Sequence, residues 1–334
     1  MNRQWIYRER PTDKVALTHF EWREAALPVA GPGEVLVRVQ MLSVDPSQRI
    51  WMAGPSYRPM LVPGTVMACY GVGEVVASKA PGFAPGDRVE GDLGWQDYAA
   101  LPAQALRKRD PARSIEQLVG ALGITGTTAW IGLFEVGRPS PGETVLVSGA
   151  AGAVGSIALQ AAVLAGCRVV GVAGGAAKCG RLIAMGAHAA VDYKAGALRA
   201  DLRAACPDGI DLFFDNTAGD VLEAALPSMN VGGRIVCCGA VSVYDQARAP
   251  AGPRGVPALL IARRLRMEGF VVLDHAQRLP AAESALARWL DEGRIVAPTH
   301  VVQGLAQAPQ ALLDLLAGLN VGKMMVRVEQ PPGA

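Results

Sequence analysis

The chain has 334 residues, 51% of them hydrophobic, which is material for about two domains with buried cores and excludes a disordered polymer. Lys and Arg number 32 against 30 Asp and Glu, a formal net charge of +2 with the signs interspersed, so the one-sided basic surface of a nucleic-acid binder is not expected. The six cysteines (Cys69, Cys167, Cys179, Cys206, Cys237 and Cys238) contain no Cys-x-x-Cys pair and no secretory leader is read, so neither a disulfide framework nor a cysteine-rich metal site is expected, and the expected compartment is the reducing cytoplasm.

The first third reads as closely spaced strands. Glu34–Val39 alternates after the turn Gly31-Pro-Gly33, Gly73–Ala77 repeats the pattern, and Pro85–Val89 reads as turn and strand. Such spacing predicts a compact, barrel-like β domain. Near residue 123 the texture changes to strands alternating with helices. The uncharged run from Thr144 to Cys167 is long enough to cross a bilayer. Gly149, Gly152 and Gly155 interrupt it, however, and Gln160 lies near its end, so it parses as a buried strand, a glycine turn and a buried helix, and no membrane association is expected.

Thr144–Val147 is the first apolar strand of this region, and a helix follows from Gly152 to Ala165. Arg168–Ala173 is the second strand, with a helix around Lys178 to Met185. Ala189–Tyr193, Ile210–Asp215, Arg234–Cys238 and Gly269–Leu273 are the third to sixth. Near-continuous apolar strands joined by helical crossovers predict a doubly wound parallel α/β sheet. The tail reads as a strand at Thr299–Val302, a helix through Leu312–Leu316 and a strand at Lys323–Val328. If it returns to the β domain, the sheet is an insertion, giving one domain from residues 1–122 and 299–334 and a second from 123–298.

The strongest local signal is Ser148-Gly-Ala-Ala-Gly-Ala-Val-Gly155 between an apolar strand and an apolar helix, the context of a dinucleotide loop. Backbone N–H groups at the helix start would meet a pyrophosphate across Gly152, Ala153, Val154 and Gly155. Aligned to G-x-G-x-x-G, the first position is Ala150, a departure from the full fingerprint. NAD sites carry an acid at the end of the second strand to hold the ribose 2′-hydroxyl. Here that strand ends Val172-Ala-Gly-Gly175, no acid occurs between Gly155 and Asp192, and Lys178 and Arg181 follow. A missing carboxylate beside a cation suits a 2′-phosphate, so NADPH is the expected cofactor.

Further pieces complete a pattern: Ser43-Val-Asp-Pro46, Gly71-Val-Gly-Glu74, Trp95-Gln-Asp-Tyr98, Gly123–Ala129, Phe214-Asp-Asn-Thr217, Cys238-Gly-Ala240, Phe270-Val-Val272 and Gly318–Lys323. Over nearly its whole length the chain resembles the medium-chain dehydrogenase/reductase superfamily, and within it the zinc-free prostaglandin/leukotriene reductases and alkenal double-bond reductases. The resemblance implies a Rossmann sheet inserted into a smaller, mainly β, GroES-like catalytic domain. It implies that Lys178 and Tyr193 contact the 2′-phosphate end, that Asn216 with Cys238, Gly239 and Ala240 lines the middle of the cofactor, and that Phe270, Val271 and Val272 sit against the nicotinamide, with Asn320 reaching it from the tail. A homodimer through the edge of the Rossmann sheet is the family expectation.

The zinc branch of that superfamily needs three protein ligands and an open position. Its cysteine is replaced near Ser43, its Gly-His-Glu stands as Pro63-Gly-Thr65, and His19, His188, His275 and His300 are scattered, so no metal is expected. Without a Lewis acid the substrate must accept hydride readily. An α,β-unsaturated ketone or aldehyde does so at its β-carbon, and so does a quinone. Tyr244, after the Cys238–Ser242 turn, and Tyr57, in the loop Gly54–Pro59, are the candidate catalytic hydroxyls. A helix over Arg254–Arg264 is expected above the substrate cleft. The alternatives are an NADPH quinone oxidoreductase and a catalytically silent NADPH-binding protein.

Overall fold

The computed structural model describes residues 1–54, 56–245, 252–253 and 256–329. In chain order the strands among them are β1 (Asn2–Tyr7), β2 (Phe20–Ala25), β3 (Glu34–Ser43), β4 (Tyr70–Ser78), β5 (Arg88–Asp92), β6 (Tyr98–Pro102), β7 (Arg107–Lys108), β8 (Thr144–Val147), β9 (Arg168–Ala173), β10 (Ala189–Asp192), β11 (Ile210–Asp215), β12 (Met229–Cys237), β13 (Arg266–Gly269), β14 (Thr299–Gln303) and β15 (Lys323–Arg327). The chain divides into two compact units, one from Met1–Gly120 with Thr299–Ala334 and one from Ala121–Pro298.

The discontinuous unit is built on a seven-stranded sheet in the order β14-β15-β3-β4-β5-β7, with β6 also pairing β3. Its pairs are antiparallel except β14 with β15. The β1–β2 hairpin lies apart and touches this framework through bridges from Gln4 to Gln96 and from Ile6 to Val66. The long strand β3 shows why the sheet forms: Val35, Val37 and Val39 point into the core while Arg38 and Gln40 alternate with them. That core also holds Trp51, Met67, Cys69, Leu93 and Trp95. The returning tail is pinned by a buried ion pair, in which Lys323 Nζ donates to Asp45 Oδ1 at 2.6 Å and to the Val44 carbonyl at 2.9 Å.

The inserted unit is a six-stranded sheet in the order β10-β9-β8-β11-β12-β13, all parallel. Numbered within the unit this is 3-2-1-4-5-6, the doubly wound order, in which the strand order reverses between β8 and β11 while the strands stay parallel. All four residues of β8 are buried, and Leu146, Val170, Phe213 and Ile235 from neighbouring strands meet in one cluster. Each such side chain contributes about 1.5–3 kcal/mol on burial. The uncharged run from Thr144 resolves into β8, the glycine turn and a helix at Ala153–Leu164, and no helix among the described residues is long and apolar enough to cross a membrane.

The sixth strand lies three residues earlier than expected. It is Arg266–Gly269, while Val272–Arg278 is a 3-10 helix. Phe270 and Val272 pack instead with Ile131 and Ala282 in a separate apolar cluster. An edge strand needs only one buried face, so its charged residues hid it, and the apolar run beside it mimicked a buried strand. The segment expected as a helix over Arg254–Arg264 contains a helix at Val256–Arg263 with Pro257 in its first turn; Arg254, Gly255 and, in the Tyr57 loop, Pro55 lie outside the described residues.

Candidate active site

The candidate site residues of the inserted unit lie after the carboxyl ends of its strands. After β8 the chain turns sharply at Gly149, whose φ is +56°, and enters the helix Ala153–Leu164 through an extended Gly152. The first-turn amides of Ala153, Val154 and Gly155 have no helical carbonyl behind them, as at any helix start, and so present donors and positive potential. The tight turn expected of the first fingerprint glycine is made one residue early. Gly149 takes the left-handed conformation, so Ala150 keeps an ordinary φ, is fully buried and donates its N–H to the Val172 carbonyl at 3.0 Å. This donor set suits the anionic diester of a dinucleotide.

At the end of β9, Gly174 lets a ring lie directly on the backbone: a Cβ there would sit 2.9 Å from the Tyr193 ring and hydroxyl. Tyr193 follows β10 and is 46% exposed, so it does not pack away in the core. Asp192, the residue before it, reaches the same place. Its Oδ1 accepts the N–H of Gly175 at 2.8 Å and of Lys194 at 2.9 Å, and these amides hold its pKa below the usual carboxylate value. The end of β9 is therefore not free of carboxylates, as the order of residues along the chain suggested; the acid comes from the adjacent strand and is bound to backbone. Lys178 is half-buried, and burial, followed by the charge of Lys194, pulls its pKa down. Lys194 is thus a second cation at this end that sequence reasoning missed. Its adjacency to Tyr193 was the available signal. Arg181 lies on the exposed side of the same helix.

After β11, Asn216 closes onto the first loop. Its side-chain Nδ2 donates to the Ser148 carbonyl at 2.7 Å and its N–H to Ser148 Oγ at 2.8 Å. Ser148 Oγ donates in turn to Asp215 Oδ1 at 2.7 Å. Neither Ser148 nor Asp215 was singled out from sequence, although a Ser and an Asp each ending an apolar strand were the visible sign. The Cys238–Ala240 turn leans on the same point, with the N–H groups of Cys238 and Gly239 donating to the Asp215 carbonyl at 2.8 and 3.2 Å. Burial pushes the Cys238 thiol up to about 12. Tyr244 lies at the end of the helical turn Val241–Tyr244, and its hydroxyl oxygen accepts the Ala240 N–H at 2.8 Å. Phe270 is turned against the backbone of Gly132, where a Cβ would come within 2.6 Å of the ring, and lies edge-on to His275. Its neighbours are Val271 and the largely buried Val272.

Tyr57 and Asn320 belong to the discontinuous unit. Tyr57 is 47% exposed, and its hydroxyl oxygen accepts the Trp51 Nε1 proton at 3.0 Å. The Arg58 guanidinium lies 4.4 Å from the Trp51 ring centroid and donates to Asp92 Oδ2 at 2.6 Å, which fixes the loop end. Asn320 is largely buried, with Nδ2 donating to the Gly322 carbonyl at 2.8 Å. Ser43 donates to Asp45 Oδ2, and Cys69 is a buried thiol raised by desolvation and by the nearby Asp45 and Asp92 charges. Among the described residues no three His, Cys, Asp or Glu side chains are grouped so as to hold a metal ion.

A family profile described as the N-terminal domain of oxidoreductase matches residues 3–108, and one described as zinc-binding dehydrogenase matches residues 153–289. The chain is 38% identical to the NADPH-dependent curcumin reductase of Escherichia coli, across 98% of this chain and 97% of that one. It is 39% identical to the NADP(+)-dependent 2-alkenal reductase of Nicotiana tabacum, across 90% and 89%. The crystal structure of CurA from Vibrio vulnificus in complex with NADPH superposes with a TM-score of 0.94 at 35% identity, covering 98% of this chain and 100% of that chain. An inserted doubly wound sheet and a discontinuous β unit, matched over 90–98% of the chain by such proteins, define a medium-chain dehydrogenase/reductase. Within that superfamily the chain belongs to the zinc-free alkenal and enone reductase group.

Proposed function

We propose that the chain reduces the carbon–carbon double bond of α,β-unsaturated ketones or aldehydes with NADPH, hydride going to the β-carbon, with no metal. The observation that carries the reading is the end of β9, where Lys178 lies within the field of Lys194 and the Asp192 carboxylate is already committed to two backbone amides. That arrangement favours a 2′-phosphate over a free ribose hydroxyl, in keeping with the NADPH-dependent relatives.

The residues present fit the nucleotide. The Gly152–Gly155 helix start would hold the pyrophosphate, and Lys178, Lys194 and Tyr193 the 2′-phosphate. Asn216 with Cys238 and Gly239 would line the middle, and Phe270, Val271, Val272 and Asn320 the nicotinamide end. When bound, NADPH supplies the hydride. The chain's own part is to orient the acceptor and steady the negative charge that gathers on the substrate oxygen. Tyr244 and Tyr57 suit that task. Each phenol oxygen accepts an N–H, from Ala240 and Trp51 respectively, and an accepted bond polarises a hydroxyl into a stronger donor.

The discontinuous unit is assigned as the GroES-like catalytic domain and the inserted unit as the NADP-binding domain. A cytoplasmic location and a homodimer complete the reading; for the homodimer, β13 ends the parallel sheet among the described residues, where a second copy could pair. The test is NADPH oxidation with a medium-chain 2-alkenal, an enone and a simple quinone, each with and without a chelator. The proposal expects chelator-insensitive turnover of the alkenal and enone. Turnover of the quinone alone, or tight NADPH binding without turnover of any, would overturn it.

A further inference from the structure

One buried residue gathers the loops that follow three strands of the inserted unit. Asp215 ends β11 and is 2% exposed. Its Oδ1 accepts from Ser148 Oγ at 2.7 Å, from the Thr217 N–H at 2.9 Å, from the Ala218 N–H at 3.0 Å and from Thr217 Oγ1 at 3.2 Å. Through Ser148 it reaches the loop after β8, and through its own carbonyl the Cys238–Gly239 turn after β12. Burial pushes this carboxyl upward and the converging donors oppose it.

The backbone held by that oxygen is strained. Ala218 has φ +56° and ψ −147°, a conformation that suits glycine and that a residue with a Cβ rarely adopts. Strain of this kind persists only where the surroundings over-determine it. Here the amides on both sides of Thr217 are tied to Oδ1, and the Thr217 carbonyl accepts Ser242 Oγ at 2.6 Å. The neighbouring Asn216 is fixed at both its N–H and its side chain by Ser148.

We propose that Asp215 is a positioning residue for the part of the cofactor beyond its adenosine end, holding Asn216 and the strained Thr217–Ala218 peptide in one geometry through a single side-chain oxygen. The proposal rests on the reading of this unit as an NADPH site. The role demands an oxygen at that point and no charge, because all four donors converge on Oδ1. An asparagine amide oxygen can receive the same donors, and an alanine cannot.

The test is titration of the full chain with NADPH and, separately, with adenosine 2′-monophosphate, which occupies only the phosphorylated adenosine end. Asp215→Ala is expected to weaken NADPH about tenfold, the scale of a buried donor left unpaired, with the adenosine fragment unaffected. Asp215→Asn is expected to restore the affinity. Ser148→Ala, which removes the Ser148 Oγ bonds to Asp215 Oδ1 and from the Asn216 N–H and leaves the other donors on Oδ1 in place, carries the same contrast if Asp215→Ala does not fold. Parallel loss of both ligands, unchanged NADPH affinity in Ser148→Ala, or an asparagine variant as weak as the alanine would overturn the proposal. A wild-type chain that binds neither ligand would instead overturn the cofactor reading.

Discussion

A Cβ on Gly155 would lie 2.3 Å from the carbonyl oxygen of Gly149, closer than any real contact of that kind. The helix Ala153–Leu164 therefore approaches the turn after β8 only because residue 155 has no side chain. At Gly152 the same construction gives 3.2 Å, a distance a small shift relieves. Gly155→Ala is expected to lower the melting temperature more than Gly152→Ala, and both are expected to weaken NADPH. Thermal denaturation of the two variants side by side checks this, and equal or reversed shifts would count against the packing argument.

The cations at the end of β9 give a selectivity prediction. Lys178→Ala and Lys194→Ala should each weaken NADPH by roughly five- to tenfold while leaving NADH nearly unchanged, because of the two nucleotides only NADPH carries a 2′-phosphate for them to meet. The measurement is the ratio of dissociation constants for the two nucleotides. Because the contact is electrostatic and near solvent, the ratio should also shrink as salt is raised. A loss shared by both nucleotides would place these lysines elsewhere.

Tyr244 serves two purposes in this account. Its oxygen anchors the Ala240 amide, so Tyr244→Phe should loosen the Cys238–Ala240 turn and raise the KM for NADPH modestly. The larger effect should be on kcat, about tenfold or more, if its proton steadies the enolate oxygen. Tyr57→Phe provides the comparison, since its partner is the Trp51 indole and no cofactor loop. Steady-state kinetics of the pair separate the roles, and an unchanged kcat in Tyr244→Phe would remove that residue from the chemistry.

Acid stability should depend on one ion pair under the sheet. Arg234 donates to both carboxylate oxygens of Glu143, at 2.8 and 2.6 Å, and holds the carboxyl below its ordinary value of 4.5. A carboxyl depressed in the folded state stabilises the protein above its unfolded pKa, and that contribution is lost as the pH falls through the lower, folded value. Glu143→Gln should therefore melt earlier than wild type at neutral pH, with the gap closing below pH 4.5. Melting curves across that range check it; a constant gap would contradict it.

The parallel sheet was legible because buried strands such as Thr144–Val147 are continuous apolar runs, and the glycine turn because its glycines stand between such a strand and a helix. What escaped had a physical reason. The strand Phe20–Ala25 buries only its first residue and carries charges along the rest, so it offers no alternation to read. Asp192 accepts the N–H of Gly175, just past the end of β9 and 17 residues distant in sequence, a relation that only strand pairing creates. Ser148 and Asp215 are small polar residues at strand ends, indistinguishable in sequence from ordinary turn formers until their mutual bond is seen.

In the proposed reaction hydride reaches the β-carbon of a conjugated carbonyl. Turnover of a 2-alkenal with NADPH carrying deuterium at the transferable C4 position, with the product read by NMR, follows that atom. The expected product is a saturated aldehyde with deuterium on its β-carbon. Deuterium on the carbonyl carbon, with the double bond intact in an allylic alcohol, would contradict it.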